Sequence, residues 1–74
     1  MLQPEEIQSL IKKAIPDSEV TVQDLTGGGD HFQAIVLSSL FRGKTIIEQH
    51  QMIHAALEPL KDQIHALAIK TKAL

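Results

Sequence analysis

The segment EVTVQDLTGGGDHFQAIVLS, residues 19–38, decides the fold. Residues 19–25 contain the β-favouring trio Val20, Thr21 and Val22. The pattern breaks at Thr26-Gly27-Gly28-Gly29-Asp30, and an extended run resumes over residues 31–38. In that run Phe32, Ala34 and Val36 share one face while Ile35 and Leu37 share the other, the period of two that a strand imposes. Two short strands around a glycine-rich break specify an antiparallel hairpin, with a loop too long for a two-residue turn.

Upstream, Pro4 suits a first helical position, where its missing N–H leaves nothing unsatisfied. Ile7, Leu10, Ile11, Ala14 and Ile15 follow at spacings that place them on one helical face. Glu5 and Glu6 lie in the first turn and Lys12 and Lys13 in the last, as the helix dipole favours, and Pro16 stops the helix. Downstream, Phe41-Arg42-Gly43-Lys44-Thr45 is a second break. Thr45 and Glu48 have the spacing of a capping box. Ile46, His50, Ile53, Leu57 and Leu60 then recur every three or four residues, predicting a helix with one buried stripe. Pro59 ends that helix or bends it into a second short turn. Residues 64–71 are apolar, short and bounded, as a last strand would be.

The order is therefore α-β-β-α(α)-β. A strand, a helical crossover and a strand in one sheet run parallel with a right-handed connection. The expected architecture is α+β: a three-stranded mixed sheet, its last strand parallel to the second, with the helices on one face.

A chain of 74 residues supports one domain, spanning 1–74, with a small core. Its 43% hydrophobic and 22% charged content is that of a globular domain. Phe32 and Phe41 are the only aromatic residues besides histidine, so Ile, Leu, Val and Ala must fill the core. The absence of cysteine removes disulfides and thiolate metal sites, and suits a cytoplasmic protein. Residues 1–6 carry two acids and no apolar run, so no signal peptide is expected there. Nowhere do roughly 18 apolar residues occur together to suggest a membrane span. A net charge of −2 disfavours general binding to polyanions.

Several runs resemble the BolA family. Gly29-Asp30-His31-Phe32-Gln33-Ala34-Ile35-Val36 looks like its second strand, and Phe41-Arg42-Gly43-Lys44 is similar to its F-x-G turn. Gln49-His50-Gln51-Met52-Ile53-His54-Ala55-Ala56-Leu57 resembles its long helix, and Ile64-His65-Ala66-Leu67-Ala68-Ile69-Lys70-Thr71 its last strand. The resemblance spans residues 7–72. It implies a class II KH-like fold and a non-catalytic partner of monothiol glutaredoxins, active in iron–sulfur cluster handling and iron regulation. Some bacterial members are also described as transcription regulators. The family's cluster ligand opening the last strand matches His65. A second ligand, Cys or His, usually comes from the first interstrand loop. This chain departs from that pattern, having no cysteine there, which leaves His31 or Asp30 as the counterpart. Gly29, Asp30, Lys70 and Lys72 are the residues expected to face the partner.

The residues themselves lead to related chemistry. With the last two strands parallel, His31 and His65 begin strands at the same end of the sheet, beside the glycine loop. Neutral imidazole ligates iron, but iron–sulfur clusters are held mainly by cysteine thiolates. A chain without sulfur ligands can contribute one or two nitrogens, so a [2Fe–2S] cluster would be shared with a partner and none held alone. Strand parity leaves open whether His31 points toward His65. His50 and His54 are spaced i, i+4 on one helical face, yet no Glu follows His50, and packing is the expected role of both. Gly27-Gly28-Gly29 precedes a strand rather than a helix N-terminus, so it reads as a flexible turn and not a phosphate cradle.

The alternative is a nucleic-acid-binding regulator using Arg42 and Lys44 on the KH-like fold. Against it stand the absence of a G-x-x-G loop between helices and the lack of aromatic stacking platforms. No nucleophile is paired with a base, so catalysis is not expected. Alone, the chain should be a monomer or a weak homodimer.

Overall fold

The computed structural model describes residues 2–74. The elements are α1 (Pro4–Ala14), β1 (Glu19–Asp24), β2 (His31–Ser38), α2 (Ile46–Ala56) and β3 (Ala66–Ala73). Short 3₁₀ turns occupy Ser39–Phe41 and Glu58–Leu60. Pro4 opens α1, where the Gln3 N–H donates to the Glu6 carboxylate at 2.8 Å. At α2 the Thr45 hydroxyl accepts from the Glu48 N–H at 3.1 Å, and Glu48 returns an acceptor to the Thr45 N–H at 2.8 Å. Both helices thus begin with reciprocal bonds that satisfy otherwise free amides.

The sheet order is β1-β2-β3. β1 pairs antiparallel with β2, Glu19 opposite Leu37 and Asp24 opposite Phe32. β3 pairs parallel with β2, from His31 opposite Ala66 to Ser38 opposite Ala73. The α+β mixed sheet expected from the sequence is the one observed. β3 begins two residues later than expected, because Ile64 lies in the turn that follows the second 3₁₀ segment.

Phe32, Ala34 and Val36 on one face of β2 form the core with Ile7 and Ile11 of α1 and Ile53 of α2. Ile15, Phe41 and Leu57 close its margins. Both helices therefore lie on the same side of the sheet. The other side carries half-buried His31, Gln33, Ile35 and Leu37 with exposed Lys70 and Lys72.

The buried stripe of α2 differs from the one the spacing predicts. Ile46 is 59% exposed and His50 only half-buried, whereas Gln49 joins Ile53 and Leu57 inside. Gln49 is tolerated there because its Nε2 donates to the Lys44 carbonyl at 3.0 Å and the Phe41 carbonyl at 3.3 Å, while its Oε1 accepts from the Thr71 hydroxyl. A buried amide with its hydrogen bonds made carries little desolvation penalty. Three turn and strand groups thus select a polar residue where apolar periodicity would have placed Ile46 and His50.

Candidate functional site

His31 is the first residue of β2, and His65 lies one residue ahead of β3. The His65 and Ala66 N–H groups both donate to the Asp30 carbonyl, at 2.9 and 3.1 Å. That shared acceptor holds the chain entering β3 against the residue preceding His31. The two imidazoles consequently stack, with centroids 5.6 Å apart and planes 18° from parallel. Strand parity alone would send position 31 to the uncovered face and position 65, like Leu67, to the covered one. Because His65 precedes the ladder, it is released from that alternation, and the rings meet at the end of the sheet.

Both rings reach solvent: His65 is exposed, and the His31 side chain retains 41% of its accessible surface. Asp30 Oδ2 stands 3.9 Å from His31 Nε2, beyond hydrogen-bonding range. Among the described residues, no three His, Asp or Glu side chains converge as a metal cage. The donor set at this end is two accessible nitrogens. It is incomplete for a tetrahedral metal site or an iron–sulfur cluster, whose remaining ligands are usually thiolates.

The glycine loop is more organised than the flexible turn the composition suggests. Asp24 Oδ1 accepts from the Thr26 and Gly27 N–H groups at 3.2 and 2.9 Å, and Oδ2 accepts from the Gly29 N–H at 2.9 Å. Gly27 and Gly29 adopt φ of 76° and 74°, the left-handed region that turns their amides toward this carboxylate. Those N–H groups are already engaged by an acid of the chain itself, which further disfavours a phosphate cradle. Asp24 is a site residue that motif and periodicity do not single out. Its one signal in the sequence is an aspartate closing a strand just before a glycine run, the setting of an Asx turn.

A cavity of about 270 Å³ adjoins His65, lined by His54, Leu57, Lys61, Ile64, His65, Ala66 and Leu67. His54 is exposed there and does not pack into the core, contrary to the sequence expectation. Its place in the last turn of α2 carries it past the end of the buried stripe.

The other expected site residues are more scattered. Gly29 is buried and its N–H is taken by Asp24, whereas Asp30 is exposed beside the ring pair. Lys70 and Lys72 pair with Ile35 and Leu37, four and six residues along β3 from Ala66. At about 3.3 Å per residue, Lys70 lies roughly 13 Å from the ring-pair end. Arg42 and Lys44 lie in the turn between β2 and α2, at the opposite end of the sheet, and Arg42 Nε donates to the Leu74 carbonyl. Ser38 and Ser39 direct their hydroxyls to Asp17, with no histidine in that cluster.

The family model described as BolA-like protein matches residues 5–74. The chain is 37% identical over 71 residues to Protein BOLA2 of Arabidopsis thaliana, covering 95% of this chain and 76% of that one. It is 35% identical over 68 residues to the uncharacterized protein RP812 of Rickettsia prowazekii, covering 90% and 88%. The structure of a bolA protein homologue from Coxiella burnetii superposes with a TM-score of 0.83 at 31% identity, over 99% of this chain and 92% of that one.

Proposed function

This chain belongs to the BolA family, and on that premise we propose that it is a non-enzymatic binding module that docks a monothiol glutaredoxin and shares a [2Fe–2S] cluster with it. His65 supplies an imidazole nitrogen to the cluster, His31 stands beside it as the second nitrogen donor, and the partner supplies the thiolates. The cluster, when bound, contributes the electron-accepting and transferable iron; this chain contributes ligand field, orientation and a docking surface.

One observation carries this reading: two solvent-accessible imidazoles stacked 5.6 Å apart at one end of the sheet, in a chain without a thiol. A nitrogen-only donor pair is suited to completing a cofactor held elsewhere and unsuited to holding one alone. The cavity lined by His54, Lys61 and Leu67 gives the partner a surface to occupy next to His65.

Mixing the protein with a cluster-loaded monothiol glutaredoxin should change the visible absorption and circular dichroism of the cluster. His65→Ala should abolish that change. An unchanged spectrum with the wild-type chain would remove the proposal. No observation favours the nucleic-acid reading: Phe32 and Phe41 are each 1% exposed and offer no stacking platform.

A further inference from the structure

We propose that Asp24 is a positioning residue for the histidine pair, acting through the glycine loop. The proposal rests on the reading of His31 and His65 as the cluster-facing donors, and it assigns the device that holds them together before any partner arrives.

Asp24 is the last residue of β1 and sits opposite Phe32 in the hairpin register. Its two carboxylate oxygens accept three loop amides, those of Thr26, Gly27 and Gly29. Bonds from N–H to a charged acceptor are about twice as strong as neutral ones. The Gly29 bond fixes the residue immediately before Asp30, and the Asp30 carbonyl in turn holds the N–H groups of His65 and Ala66. A continuous path therefore runs from Asp24 Oδ2 through Gly29 and the Asp30 carbonyl to the backbone of His65. A second strand of the same network comes from Thr26, whose hydroxyl donates to Asp30 Oδ1 at 3.1 Å and accepts from the Gly28 N–H at 3.2 Å. The Leu25 N–H donates to the His31 carbonyl at 2.8 Å and closes the hairpin just inside the loop. Donor geometry at a metal site must be held within about 0.5 Å, which a free glycine loop would not provide.

Asp24→Asn is the informative change. Its single carbonyl oxygen still accepts from Gly27 or Gly29, but the other terminus becomes an NH₂ group facing an N–H. The loop then loses one anchor while the core is untouched. Solution NMR reads the consequence directly, in wild type and variant, with no cluster present. Wild type should give nuclear Overhauser cross-peaks between the His31 and His65 ring protons. In Asp24→Asn these should weaken several-fold while the methyl resonances of Ile7, Ile11 and Ile53 stay in place. With a cluster-loaded monothiol glutaredoxin, the variant should still form the complex but give a weaker spectral change than wild type. Ring cross-peaks that persist at full intensity in Asp24→Asn would overturn the proposal. Should that variant not fold, Asp24→Ser, which retains one short acceptor and loses the Gly29 bond, is measured with the same two outcomes. If the substitution separates the rings, yet even the wild-type chain leaves the glutaredoxin spectrum unchanged, shared ligation is refuted and the positioning role stands.

Discussion

Gln49 shows how one polar side chain can be more decisive than an apolar one. It is 6% exposed, and it joins the turn spanning residues 41–44 to α2 and β3 through two donated bonds and one accepted bond. The Phe41 carbonyl keeps a second donor in the Lys44 N–H, whereas Gln49 is the donor that serves the Lys44 carbonyl. Replacing Gln49 by Leu preserves volume but removes that donor and leaves the Thr71 hydroxyl without its acceptor. Taking the partner away from a buried polar group costs about 1–3 kcal/mol. Urea unfolding of Gln49→Leu should show a stability lower by that amount, read as a lower midpoint at unchanged slope. An equal or higher midpoint would mean that the network contributes nothing to stability.

At the scale of elements, the turn between α1 and β1 is tied to the end of β2 by Asp17. Its carboxylate accepts from the Ser38 hydroxyl at 2.7 Å, the Ser39 N–H at 3.2 Å, and the Ser39 hydroxyl. The Ser39 hydroxyl bond, followed by that from Ser38, holds the Asp17 carboxyl below its ordinary range. A carboxylate with a depressed folded pKa stabilises the fold above its unfolded pKa, and that contribution is lost as pH falls through the folded value. Asp17→Asn should therefore be less stable than wild type at neutral pH, and the gap should close on acidification below the ordinary aspartate pKa. Paired denaturation curves at neutral and acidic pH check this; a gap that widens with acid would contradict it. Element identity is legible in the sequence because its signals are local: Pro4, the Thr45–Glu48 pair and the alternation from Phe32 to Val36. The start of β3 and the inner stripe of α2 are not, because the Ile64 turn and the pocket around Gln49 are made by tertiary contacts that periodicity does not record.

Across the whole molecule, topology carries the site. Once β2 and β3 are parallel, residues 31 and 65 must share an end, and the sequence order alone supports that deduction. Ring orientation does not follow from it, since period-two alternation gives opposite faces to positions 31 and 65. The resolution lies in the Asp30 carbonyl and in the position of His65 ahead of the ladder, both features of the loop rather than of either strand. Asp24 is hidden for the same reason: its role exists only when the glycines fold back on it. Membership in the BolA family then gives the stacked pair its proposed work of completing a cofactor centred on another polypeptide. The decisive measurement labels this chain alone with nitrogen-15 histidine, mixes it with a cluster-loaded monothiol glutaredoxin, and records pulsed electron paramagnetic resonance of the reduced cluster. A nitrogen-15 coupling of the size given by a directly ligated imidazole, present in wild type and diminished in His65→Ala, is the expected result. A complex that forms without any such coupling would contradict shared ligation outright.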